Sequence, residues 1–167
     1  MSKKPVKMFV LVGLPASGKS TVRDVLAKHL SKLGLAYTIV SPDDIRGELC
    51  NGDVTDQSRN KQVFELAHDR LNKNLKGGRS VIFDATCVDL KTRRQLIRIA
   101  DRSKAGKVAV WMDTSLRVCK QRNSKRDRVV PDFVFDKMKR KYKEPTIDEG
   151  FDSIIRVGKK TVLTNVI

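Results

Sequence analysis

The sequence predicts an α/β fold: a parallel five-stranded sheet with helices on both faces and a basic lid. Three observations carry this. Short apolar runs alternate with longer stretches of helical periodicity, the pattern of strand–helix–strand units whose sheet is covered on both faces. A glycine-rich phosphate-binding signature, Gly13-x-x-x-x-Gly18-Lys19-Ser20, sits at the junction of the first apolar run and the first helical stretch. Polar residues gather just after the apolar runs, where open parallel sheets place their ligands.

Each element has its own justification. Residues 7–12, KMFVLV, form a short buried strand. From 19 to 33, Val22, Val25, Leu26, Leu30 and Leu33 follow the three-and-four spacing of one helix face, and Gly34 closes the helix. Residues 36–40, AYTIV, read as the second strand. Ser41 is the expected N-cap of the next helix, with Pro42 at its first position and Asp43 and Asp44 in its first turn. The stretch NGDVTD is a loop, 57–76 a long helix ended by Gly77 and Gly78, and 80–86 a third strand. A helix over 90–104, a strand over 107–113, a basic helix from 115 to about 125, a helix opened by Pro131 and a fifth strand over 152–157 complete the order.

With 167 residues the chain reads as one domain, 1–167, with the lid at about 115–130, and it is long enough to bury a core. A composition of 40% hydrophobic and 32% charged residues fits a soluble protein, and no apolar run reaches the length of a membrane span. The apolar run near the start is too short for a signal peptide, and Cys50, Cys87 and Cys119 form no CxxC pair. A cytoplasmic location is therefore expected. The net charge is +16. Such a field serves solubility, or it draws in polyanions such as nucleic acid; charge by itself leaves both open. An aromatic content of 5% leaves few candidates for a base-stacking platform.

The loop has a direct physical reading. Glycines let backbone N–H groups point inward, and the following helix adds its N-terminal dipole. Gly13, Ala16, Ser17, Gly18, Lys19, Ser20 and Thr21 are the expected nucleotide-binding residues. Lys19 reaches the β- and γ-phosphates, Ser20 holds Mg²⁺, and Thr21 caps the helix or touches the α-phosphate. No Asn-Lys-x-Asp guanine-reading sequence occurs, which favours ATP.

A kinase also needs a carboxylate to take the acceptor's proton. Asp43 and Asp44 stand at the mouth of the second strand, with Arg46 three residues after Asp43 on the same helix face. That acid and arginine can hold a hydroxyl and a neighbouring phosphate together. The plainer reading is that both acids complement the helix dipole. Asp84 ends an apolar strand as a Walker-B-like ligand, a second acceptor-positioning acid or a simple cap. Residues 117–128, RVCKQRNSKRDR, hold six basic residues against one acid: a solvated face, or a lid that closes over ATP. His29 and His68 have no metal-like companion and read as structural.

In four stretches, GLPASGKST, SPDDIR, VIFDAT and RNSKRDRVVP with the DKMKRKY helix after it, the chain resembles the 5′-kinase domain of phage-type polynucleotide kinases, within the P-loop kinase group. The resemblance spans roughly residues 6–145. It implies a P-loop kinase fold and transfer of the γ-phosphate of ATP to the 5′-hydroxyl end of DNA or RNA, with nucleic acid as the substrate. It implies that Asp43 activates the 5′-hydroxyl, that Arg46 contacts the adjacent phosphate, and that Arg126 contacts the ATP phosphates, with Arg122 in the same lid segment. In some relatives the strand-end acid stands one position later, where this chain has Ala85. A companion phosphatase domain is not expected. The alternative is a small-molecule kinase of the same fold, acting on a nucleoside, sugar or antibiotic. A third is a binding module using ATP as a switch, in which the acid–arginine pair after the second strand would be idle.

Overall fold

A computed structural model of the chain describes residues 5–158. The strands are β1 (Lys7–Val12), β2 (Tyr37–Val40), β3 (Ser80–Phe83), β4 (Gly106–Met112) and β5 (Ser153–Val157). The helices are α1 (Lys19–Lys32), α2 (Pro42–Leu49), α3 (Asn60–Lys76), α4 (Leu90–Arg102), α5 (Leu116–Asn123) and α6 (Asp132–Lys141). The sheet runs β2-β3-β1-β4-β5, and every pairing is parallel. This is the P-loop kinase fold, and β1 stands at its centre. No described helix is long and apolar enough to cross a membrane.

The pleat of β1 divides the core. Met8, Val10 and Val12 face one layer with Val63, Ala67 and Leu71 of α3 and Leu96 and Ile97 of α4. Phe9 and Leu11 face the other, against Val22, Leu26, Ala27 and Leu30 of α1. Both faces of the central strands are dry, which explains why these strands read as unbroken apolar runs.

The Ser41 cap and the Gly34 stop are as the sequence predicts, and the structure adds two further side-chain caps. The Ser41 side chain accepts the Asp44 amide with Pro42 at the first helical position, and Asp89 and Ser115 cap α4 and α5 in the same way. Gly34 takes a left-handed φ of 63°, letting Leu35 N–H reach back to Leu30 O and end α1.

Several boundaries differ from expectation. α3 begins at Asn60 rather than 57, because Asp53 accepts the Thr55 amide and Asp56 the Ser58 amide, local turns that compete with helix. β3 ends at Phe83 rather than 86; residues 84–86 turn toward the glycine loop, where Gly13 N–H donates to Thr86 O. Val25 and Leu33 are exposed rather than buried. Val25 lies off the edge of the stripe that meets the sheet, and Leu33 is the cap residue past the last turn.

A 3₁₀ turn at Ile147–Glu149 had no counterpart in the sequence pattern. Its role is tertiary. Arg93 of α4, fully buried, donates from Nε to Glu149 Oε2 and from Nη2 to Oε1, each at 2.7 Å, and from Nη1 to Cys87 O at 3.0 Å. This clamp holds the 84–89 loop, whose Thr86 carbonyl supports the start of the glycine loop.

Candidate active site

The glycine loop is shaped by close approach. A Cβ on Gly13 would lie 2.5 Å from Ser17 Oγ and 2.9 Å from Met112 Cβ, so only glycine fits. Ala16 and Gly18 both take left-handed φ values, 60° and 104°. Gly18 caps α1 without a side-chain bond, which leaves the first-turn N–H groups free of side-chain capping and available to an anion. Lys19 Nζ donates to Gly13 O at 3.0 Å and Leu14 O at 2.8 Å, curled over the loop. Burial lowers the Lys19 pKa to about 8, while the Asp84 carboxylate pulls it back up. The buried Ser17 hydroxyl has no partner, and Ser20 and Thr21 stand exposed at the mouth.

These features fit a nucleotide's phosphates: a cradle that a side chain would fill, free amides, an orphaned hydroxyl and a desolvated ammonium. Gly13, Ala16, Ser17, Gly18, Lys19 and Thr21 are the residues that would hold them, and the exposed Ser20 hydroxyl is the one that would hold Mg²⁺. When bound, the metal supplies charge neutralisation on the phosphate oxygens.

The second group of candidate residues lies two strands away. At the mouth of β2, Asp43 is exposed and pairs with Arg46, which is 5% exposed. Arg46 Nη2 also donates to Asn60 Oδ1 at 2.9 Å, while its buried Nε finds no partner. Asp44, exposed beside it, contributes its amide to the Ser41 cap.

Because β3 lies between β1 and β2, Asp84 stands between the loop and this pair. Arg23 of α1 donates to it from Nη1 at 2.9 Å, and to Asp24 as well. Asp84 is therefore an ion-paired acid rather than a free one. Sequence reasoning missed Arg23, although a signal existed: it lies four residues after Lys19, on the same face of α1.

The basic segment folds as α5 and a loop that returns into α6. Asn123 cinches the loop, donating to Val130 O at 2.8 Å and accepting the Val130 amide at 3.0 Å. This buried asparagine was also missed. The position of a Cβ on Gly18 would be 4.0 Å from Arg122 Nη1, so Arg122 overhangs the glycine loop. Arg126 acts on Lys19 electrostatically, lowering its pKa. Leu14 of the loop packs with Val88, Cys119 and Phe135, so cradle and lid share a small core. Across the cleft Arg128 Nη2 reaches Val54 O at 3.3 Å.

Other polar candidates are engaged elsewhere. Asp113 accepts from Arg156 at 2.9 Å on the β4–β5 side, which takes it out of the cluster at the strand ends. His68 lies between Phe64 and Phe83, with burial lowering its pKa, and His29 is in the last turn of α1. The three cysteines are free thiols.

Comparison with known proteins places this geometry. An L-seryl-tRNA(Sec) kinase of Methanococcus maripaludis is 26% identical over 145 residues, 87% of this chain and 56% of its own. An adenylyl-sulfate kinase of Escherichia coli is 30% identical over 118 residues, 68% of this chain and 55% of its own. The chain thus spans just over half the length of these curated relatives. Among solved structures, Chaetomium thermophilum Kti12 with ADP-AlF3 superposes with a TM-score of 0.74 at 16% identity, over 91% of this chain and 89% of that one. A chain of a Pnkp1/Rnl/Hen1 complex superposes with a TM-score of 0.60 at 22% identity, over 98% of this chain and 50% of that one. A family model described as an AAA domain matches residues 8–145, and the chain belongs to that family.

Proposed function

We propose that this kinase transfers the γ-phosphate of ATP to the hydroxyl of a compact acceptor that carries an anionic group beside that hydroxyl. The observation that carries the reading is the Asp43–Arg46 pair: an exposed carboxylate beside a buried guanidinium whose Nε is unpartnered. In this reading Asp43 accepts the hydroxyl proton as the oxygen bonds to the γ-phosphorus, and ADP leaves. Arg46 holds the neighbouring anionic group. Lys19 and the loop amides grip the β- and γ-phosphates, Thr21 meets the α-phosphate, and Ser20 holds Mg²⁺. Arg122 and Arg126 face the charge that develops on the transferring group, where fixed cations are most effective. Asp84 holds Arg23 and, through it, the helix that presents Lys19. The whole chain acts as one kinase domain.

Two further observations favour a compact acceptor. The curated relatives include a kinase of adenylyl sulfate, a compact anionic acceptor, whereas the kinase of L-seryl-tRNA(Sec) acts on a group carried by a nucleic acid and does not favour it. The Arg128–Val54 contact joins the lid to the loop after α2, on the side of Asp43 and Arg46, which in this reading leaves room for a compact acceptor.

A second reading, the 5′-hydroxyl end of DNA or RNA, is favoured by the net charge of +16 and by the residue-level resemblance. The two part under one experiment. Labelled γ-phosphate of ATP is offered with a nucleoside, a nucleoside 3′-monophosphate, adenylyl sulfate, a neutral sugar and 5′-hydroxyl oligonucleotides, at low and high salt. A compact site gives high kcat/KM for a small anionic acceptor, little changed by salt. If oligonucleotides lead at low salt and fall steeply as salt rises, the polynucleotide end is the acceptor. Equal use of the neutral sugar overturns the role given to Arg46.

A further inference from the structure

The net charge is unevenly spread. Residues 116–143 contain eleven Lys and Arg against three Asp, so this sixth of the chain carries eight of the sixteen net charges. Only part of that charge faces the cleft. α6 is a two-sided helix. Phe135, fully buried, with Met138 and Tyr142, packs into the core beneath the lid, and Tyr142 is fixed by the Trp111 indole N–H at 2.7 Å. The two acids, Asp132 and Asp136, are drawn to Lys120 of α5 at 3.5 and 3.6 Å. On the side away from this core stands Phe133, 69% exposed, the most exposed large apolar side chain among the described residues. Lys137, Arg140 and Lys141 follow it at four, seven and eight residues, the spacing of one helix face, and all are exposed.

An exposed aromatic ring is unfavourable in water, and three cations beside it would repel one another. One ligand chemistry answers both: a flat π-face that covers the ring and a chain of phosphates that pairs with the cations. Val129, in the loop before α6, is also exposed, at 54%. We propose that the outward face of α6 is a docking surface for single-stranded nucleic acid, with a base stacked on Phe133 and the backbone running along Lys137, Arg140 and Lys141. This surface lies outside the acceptor pocket. It holds a strand whichever hydroxyl is phosphorylated, so the proposal stands apart from the choice of acceptor.

The test measures binding and not transfer. A fluorescent single-stranded oligonucleotide of about 20 nucleotides, already 5′-phosphorylated and hence unable to accept, is titrated with the full chain and followed by anisotropy. Phe133→Ala should weaken binding about tenfold, the scale of one stacked base, and Phe133→Trp should restore it and show quenched indole emission on binding. Lys137→Gln with Arg140→Gln should lower the slope of log affinity against log salt by about 1.4, two single-strand phosphate contacts. These side chains are exposed, so the circular dichroism spectrum and melting temperature should not move. Unchanged affinity in Phe133→Ala overturns the proposal, as does a duplex that binds as tightly as the single strand. Phosphatidylserine vesicles that bind wild type and lose binding equally in Phe133→Ala would assign the face to a membrane and overturn it too.

Discussion

At the far end of the 84–89 loop, Arg93 has every part of its guanidinium engaged: two bonds to Glu149 and one to the Cys87 carbonyl. At the mouth of β2, Arg46 is nearly as buried, yet it faces an exposed carboxylate and one asparagine oxygen, with Nε unpaired. Burial alone therefore does not distinguish a structural cation from a functional one. Satisfaction does. A buried charge with all its donors matched is a rigid joint, because any ligand would have to displace better partners. A buried charge with a donor left over, beside a water-exposed acid, can gain by binding an anion. Lys19 is a third case: its ammonium rests on two loop carbonyls that phosphate oxygens can replace.

The widest gap between these regions should appear in stability. Arg93→Met leaves Glu149 buried without its partner and should cost about 3–5 kcal/mol, with much of that recovered when Glu149→Leu is added. Arg46→Met leaves Asp43 in water and should cost about 1 kcal/mol or less. Urea midpoints measure both, and equal losses would erase the distinction. Next in size is chemistry at the mouth. Asp43→Asn should reduce transfer about a hundredfold or more while ATP affinity stays near wild type. If Asp44→Asn is the damaging change instead, the neighbouring acid is the base.

Arg46→Lys sharpens the comparison further. It keeps the charge but loses the fork, and the loss of a charge-assisted hydrogen bond should lower acceptor kcat/KM about tenfold. A lysine that works as well as arginine would make Arg46 a point charge and no more.

Smallest is a pH effect at Lys19. Its folded pKa of about 8 lies below the ordinary 10.5 because burial disfavours the ammonium. Phosphates restore that charge, so ATP binding should take up a proton above pH 8, and ATP affinity should fall about fourfold from pH 7 to pH 8.5. Calorimetry in buffers of different ionisation enthalpy reads the proton directly. For stability the sign is opposite. The unfolded chain binds the extra proton between pH 8 and 10.5, so this group's contribution to stability rises with pH across that window. A binding curve flat through pH 8 would place the Lys19 pKa elsewhere.

What the sequence determined by itself was local. The glycine loop, the Ser41–Pro42 helix start, the end of α1 at Gly34 and the alternation of apolar runs with helical stretches follow from chemistry within a few residues of each position. The central strands β1, β3 and β4 were legible because a buried parallel strand is apolar on both faces. The acid–arginine pair was legible because three residues along a helix bring two side chains together. The tertiary structure decided the partners. Arg23 meets Asp84 across 61 residues, and Arg93 meets Glu149 across 56. Asp113 turned to Arg156 although it follows a strand as Asp84 does. Periodicity reports that a side chain faces inward or stands at a strand end, but not which element lies opposite. That depends on the strand order β2-β3-β1-β4-β5, which sets β3 beside the glycine loop and turns the end of β4 toward β5.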